Sequence, residues 1–152
     1  MKVFISLLAL ILSTSVWARG PALAQDVAGI QLGDARGIED SINPRAKPWL
    51  RIYYQDDVVV GVVYRQPGLS NEAVNQLAFV NRLCSKYGEN NFCSIARRDI
   101  ADPETRWVGF SSLYTVEGGY LTARVAREDT FSFFPRLAVE IELWAEGYTL
   151  PK

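Results

Sequence analysis

Apolar positions along this chain change their spacing from segment to segment, and the spacing assigns the elements. Val3 to Leu12 is an apolar run behind a charged Lys2. From Trp49 the period is two: Leu50, Ile52 and Tyr54 share one side of a strand, and Trp49, Arg51 and Tyr53 the other. Gln55-Asp56-Asp57 is a turn, and Val58 to Tyr64 is a β-branched run suited to a central strand, so an antiparallel hairpin is expected, ended by Pro67-Gly68. The period then becomes helical. Leu77, Val80, Cys84 and Tyr87 recur at spacings of three and four, and Leu83 widens the stripe. Ser70 is the expected N-cap, Leu69 and Val74 are placed for a hydrophobic staple, and Gly88 stops the helix. Period two returns in Trp107 to Thr115, Tyr120 to Arg127 and Leu137 to Trp144, the first two joined by Glu117-Gly118-Gly119. In the last strand Leu137, Val139, Ile141 and Leu143 face one way and Ala138, Glu140, Glu142 and Trp144 the other, the mark of a sheet with one buried and one wet face.

The remaining segments carry weaker patterns. Val27 to Gly33 reads as extended. A short helix is expected from Asp34, with Ile38 and Ile42 on one face and Gly37 weakening it. Asn43 to Pro48 is a connection, and Ile95 to Arg106, polar and containing Asp102-Pro103, reads as a loop. The expected fold is therefore α+β: an antiparallel sheet of about five strands in the order ββ-α-βββ, one long helix packed on one face, and a short N-terminal helix.

Residues 1–24 have the layout of a secretory signal peptide: Lys2, the apolar run, and Ala22-Leu23-Ala24 as a small-x-small cleavage pattern before Gln25. Val16-Trp17-Ala18 offers a second cut, after Ala18. The apolar run is too short to anchor, being interrupted by Ser13-Thr14-Ser15 and closed by Arg19-Gly20-Pro21, and no Cys precedes Cys84 to carry a lipid. The expectation is an exported product, periplasmic or secreted, with no transmembrane segment or lipid anchor, in which residues 25–152 form a single domain.

Of 152 residues, 128 remain after that leader, with 14 Lys+Arg against 17 Asp+Glu because Lys2 and Arg19 are removed, a net charge of −3. This mild acidity argues against a nucleic-acid partner or a polybasic membrane contact. Cys84 and Cys93 are the two cysteines, and in an oxidising compartment they read as a disulfide. There is no histidine, which removes the Ser-His-Asp and Cys-His nucleophile systems and the commonest zinc ligand. Asp99, Asp102 and Glu104 share a segment without the alternating acid-and-glycine order of a calcium loop, so neither metal nor cofactor is expected.

Two constellations remain. Phe131, Phe133 and Phe134 crowd the connection before the last strand, with Trp144 at its end and Trp49 and Tyr53 pointing outward. Aromatic rings dominate binding hot spots, so Phe131, Phe133, Phe134 and Trp144 are the candidate anchors for a protein or an envelope polymer. Glu140 and Glu142 share one strand face about 7 Å apart, a spacing open to acid–base work on a glycoside, and a small envelope hydrolase is the alternative function.

Gly29-Ile30-Gln31-Leu32-Gly33 before a short helix, a hairpin, a helix closing on Lys86-Tyr87-Gly88 and a strand opening at Trp107 resembles a group of small exported bacterial domains. The layout is also similar to the helix-on-sheet modules of the outer-membrane assembly lipoprotein and β-lactamase-inhibitor-protein superfamily, from which this chain departs in lacking the lipid-bearing Cys. The resemblance implies a non-enzymatic binding or assembly module of the cell envelope, including an inhibitor of a secreted enzyme, and carries no catalytic residue over.

Overall fold

A computed structural model describes residues 20–105, 109–128 and 135–148 of the chain. The strands are β1 (Gly20–Pro21), β2 (Leu50–Gln55), β3 (Val58–Ser70), β4 (Gly109–Val116), β5 (Gly119–Glu128) and β6 (Arg136–Ala145); α1 (Ala73–Tyr87) and α2 (Asn91–Ala101) lie between β3 and β4. They form one sheet in the order β1-β4-β5-β6-β3-β2. Every neighbouring pair is antiparallel except β1 and β4. The α+β class and the one-helix-layer, one-sheet plan are as expected, but the sheet is mixed and six-stranded rather than antiparallel and five-stranded, because residues 20 and 21 add a parallel edge strand.

The hairpin forms where the alternation placed it. Gln55 pairs with Val58, and Asp56 and Asp57 between them both take positive φ, 50° and 61°, the geometry a two-residue turn needs to match the twist of its strands. β3 runs past Tyr64 to Ser70 through an irregularity between Gln66 and Leu69. Ser70 is thus strand rather than N-cap. Leu69 pairs with Leu137 of β6, and Val74 stays 69 % exposed, so the expected staple is not made. Helix α1 starts one residue after Glu72, and Gln76 turns its amide back onto Asn71. Its stripe of Val80, Leu83, Cys84 and Tyr87 is buried against the sheet, and Gly88 ends it with φ of 126°.

Of the expected loop from Ile95 to Arg106, residues 95–101 belong instead to a helix, Asn91–Ala101. The Asn90 side chain caps α2 by accepting from the Cys93 amide, and Cys93 and Ala96 are buried. The Cys84–Cys93 disulfide ties the start of α2 to the last turn of α1. The polar residues that suggested a loop are its outer side, where Arg97 makes a two-pronged pair with Glu89 at 2.6 and 2.7 Å. Before the hairpin the helical pieces among the described residues are short 3-10 turns, Ile38–Ser41 and Lys47–Trp49. Asp34 does not start a helix. Its carboxylate accepts from the Gln31 amide and closes a turn instead.

The helix-side face of the sheet carries the core, with Val62, Leu121, Val125, Leu137 and Leu143 fully buried. The opposite face is more open, although Val63, Ala138 and Trp144 are buried on it. Trp144 is 2 % exposed, its ring lying flat over Gly61 and 5.0 Å from the Tyr53 ring. A Cβ on Gly61 would sit 2.2 Å from Trp144 Cζ3, so only glycine leaves room there.

Gly61→Val is expected to cost about 1–3 kcal/mol by overpacking, read by urea denaturation. In a Trp144→Leu background the cost is expected to fall toward zero. Replacing Cys84 and Cys93 by Ser is expected to cost roughly 2.5–3 kcal/mol, the loop-closure value for a loop of about ten residues; an unchanged midpoint would mean the bridge adds nothing to stability.

Candidate functional site

On the open face the strands line up in cross-strand rows, and the register decides which side chains meet. Arg65, Glu140 and Arg124 stand opposite one another on β3, β6 and β5. Glu140 Oε2 lies 3.3 Å from Arg65 Nε and its Oε1 3.4 Å from Arg124 Nη1. Arg65 also reaches Glu128 at 2.9 Å. Glu142 accepts from Trp144 Nε1 at 2.8 Å. The expected outward position of both carboxylates is correct, but each is engaged within the sheet: both oxygens of Glu140 face guanidinium groups, and Glu142 holds the indole of Trp144 in place. A shallow groove of about 410 Å³ beside them is lined by Trp49, Arg51, Tyr53 and Val63, polar and charged on much of its wall.

Of the expected anchors, Phe131, Phe133 and Phe134 lie outside the described residues, as does Trp107. Trp144 is on the expected face, but its ring is covered by its own sheet. The acidic segment gathers no ligand set: Asp99 pairs with Arg98, and Asp102 accepts from the Glu104 amide and the Thr105 hydroxyl. The sulfurs near Glu89 are those of the disulfide, so they are closed to a metal.

A different feature emerges between α1 and the helix-side face of the sheet. Tyr64 of β3 and Ile141 and Val139 of β6 form its floor, Phe79 and Leu83 of α1 one wall, and Val27 the far side, enclosing a cleft of about 210 Å³. The lining is mostly apolar because it is an unfilled part of the core layer. Its rim is cationic. Phe79, Arg82 and Lys86 follow one another at three and four residues along α1, so their side chains share one helix face. The Arg82 guanidinium lies 5.9 Å from the Phe79 ring and has no ion pair among the described residues. Lys86 pairs with Asp26 at 3.0 Å and lies 5.2 Å over the Tyr87 ring. A second, more open hollow of about 540 Å³ continues from the mouth and adds Asn43, Arg45 and Trp49 to the shared Tyr64 and Lys86.

Polar groups at the mouth are fixed by their neighbours. Burial lifts the Tyr64 phenol above its ordinary value, and the nearby Arg82 charge partly offsets this. The hydroxyl therefore keeps its proton and donates to Gln66 Oε1 at 2.8 Å. Burial also opposes charging Asp26, but the Gly29 amide and the Lys86 ammonium outweigh it and hold the carboxyl below its usual range. The alternation patterns missed this cleft because its walls come from three separate segments. The Phe79–Arg82–Lys86 spacing beside the buried stripe of α1 was the available signal.

No protein-family model, characterised protein or solved structure matches this chain, so the site stands on its own geometry.

Because the Asp26 carboxyl is depressed in the fold, its contribution to stability is present above about pH 3.8 and is lost as pH falls through the lower folded value. Asp26→Asn is expected to lower Tm at about pH 7, and the difference from the native chain is expected to shrink as pH falls below about 3.8. A difference constant with pH would mean the Lys86 pair is not its source.

Proposed function

We propose that this chain is an exported binding module of the cell envelope, and that its helix–sheet cleft takes an amphipathic anion: one aromatic ring or short acyl chain joined to a carboxylate. The observation that carries the reading is the pairing of an apolar cleft with a cationic rim in which Arg82 has no ion pair among the described residues. The cleft's 210 Å³ exceeds the roughly 150 Å³ that accommodates a benzene ring and falls short of the roughly 300–1,000 Å³ of drug-sized sites. The buried portion of the ligand is therefore one ring or a short chain. Any bulkier polar portion lies over the second hollow, beside Arg45 and Trp49. The leader-like run that opens on Lys2 and Val3 to Leu12, and the disulfide, support the exported setting. A group presented by an envelope polymer or protein fits the cleft on the same terms as a free molecule.

Isothermal titration with octanoate, and with octanol as its uncharged counterpart, tests this. Octanoate is expected to bind at one site and more tightly than octanol. Arg82→Ala is expected to weaken octanoate about tenfold, the worth of one charge-assisted hydrogen bond, while leaving octanol unchanged. Ile141→Trp, which fills the cleft, is expected to abolish both. Equal binding of acid and alcohol, or binding that survives Ile141→Trp in a folded protein, would end the proposal.

A further inference from the structure

We infer that the leader is removed by hydrolysis between Ala18 and Arg19, so that residues 19–24 stay in the mature protein and residues 20–24 keep their place in the domain. This rests on the export reading and is independent of the cleft. The sequence offers two cut patterns, Val16-Trp17-Ala18 and Ala22-Leu23-Ala24. Packing separates them.

Residues 20–24 are built into the fold at every position the structure describes. Gly20 and Pro21 pair in parallel with Tyr114 and Thr115, covering the outer edge of β4. The Ala22 amide donates to the Thr115 carbonyl at 2.8 Å, and Ala22 is buried at 6 % exposure within the core. The Leu23 amide donates to the Tyr87 carbonyl at 2.9 Å. That carbonyl belongs to the last turn of α1, where the helix itself supplies no donor. The Ala22 carbonyl accepts from Gln25 Nε2, and Gln25 Oε1 in turn accepts from the Glu117 amide at the β4–β5 turn.

A cut after Ala24 removes each of these contacts except the bond between Gln25 and the Glu117 amide. It opens the β4 edge, leaves the Tyr87 carbonyl without its donor, empties the place of Ala22 and puts a new α-ammonium on Gln25 beside the β4–β5 turn. A cut after Ala18 removes none of it. The step itself adds water across the Ala18–Arg19 peptide bond: Ala18 leaves with a carboxylate, and Arg19 gains an α-ammonium. A leader peptidase whose pockets admit only small side chains provides the catalysis.

The test is the mature N-terminus. The full chain, with a C-terminal affinity tag, is expressed in a bacterium that exports it and is purified from the periplasm or medium. It is then read by intact mass and N-terminal sequencing. A start at Arg19, unchanged by Ala24→Val and lost with Ala18→Val, is the expected result. A start at Gln25, or an Ala18→Val chain with the same N-terminus as the native one, overturns the inference and leaves export standing. A chain still beginning at Met1 in the cytoplasmic fraction overturns both.

Discussion

Everything at one end of this molecule converges on Tyr87, the last residue of α1. Its side chain is completely buried, and an aromatic ring with a hydroxyl can be buried only where the hydroxyl finds a partner. The partner is the Asp26 carbonyl, 3.1 Å away. Burial keeps the phenol protonated by lifting its pKa far above the ordinary value. The same residue's carbonyl takes the Leu23 amide, its ring sits 5.9 Å from that of Tyr114, and the Tyr114 hydroxyl donates to the Gly88 carbonyl at 3.0 Å. The disulfide one turn earlier ties α2 to the same point. The N-terminal segment, both helices and β4 are thereby held in one arrangement.

That arrangement explains why the two faces of the sheet differ in what they offer. On the open face Arg65, Glu140 and Arg124 satisfy one another, and Trp144 covers Gly61. The groove there mixes charged side chains with Trp49, Tyr53 and Val63. On the covered face α1 is pinned at its C-terminal end by Tyr87 and at its N-terminal end by β3 leading into it. Between those points the layer is not filled completely, and the cleft between α1 and strands β3 and β6 is the remainder. Arg82 and Lys86 lie on the helix face that looks over its mouth.

Strands β2 and β4 to β6 were legible in the sequence because apolar and polar positions alternate along them, and β3 because it opens on a β-branched run. The strand β1 was not, since Gly20-Pro21 has no period and lies in a stretch that reads as leader. Helix α2 carries its signal in Cys93, Ala96 and Ile100 at three and four residues with Asn90 as cap, but two of those three residues are small, and the charged outer side dominates the segment. Ser70 and Leu69 were misplaced for a tertiary reason: the irregularity in β3 lets the strand pass Pro67-Gly68, which local rules treat as its end. Parity placed Trp144 on the correct face, but its burial depends on which residue of β3 stands opposite. Register is what the single strand does not reveal. The cleft was hidden for the same reason, since Tyr64, Phe79 and Ile141 come together only through packing.

The central claim is that the space between α1 and the sheet is a ligand site rather than a packing defect. Methyl-resolved NMR of the mature protein with a saturating short-chain carboxylate tests it most directly. The account predicts intermolecular contacts from the ligand's apolar end to the methyl groups of Leu83, Val139 and Ile141, with shifts at Arg82 and none at Val63 on the open face. Contacts to Val63 and its neighbours, or no defined contacts at all, would contradict it.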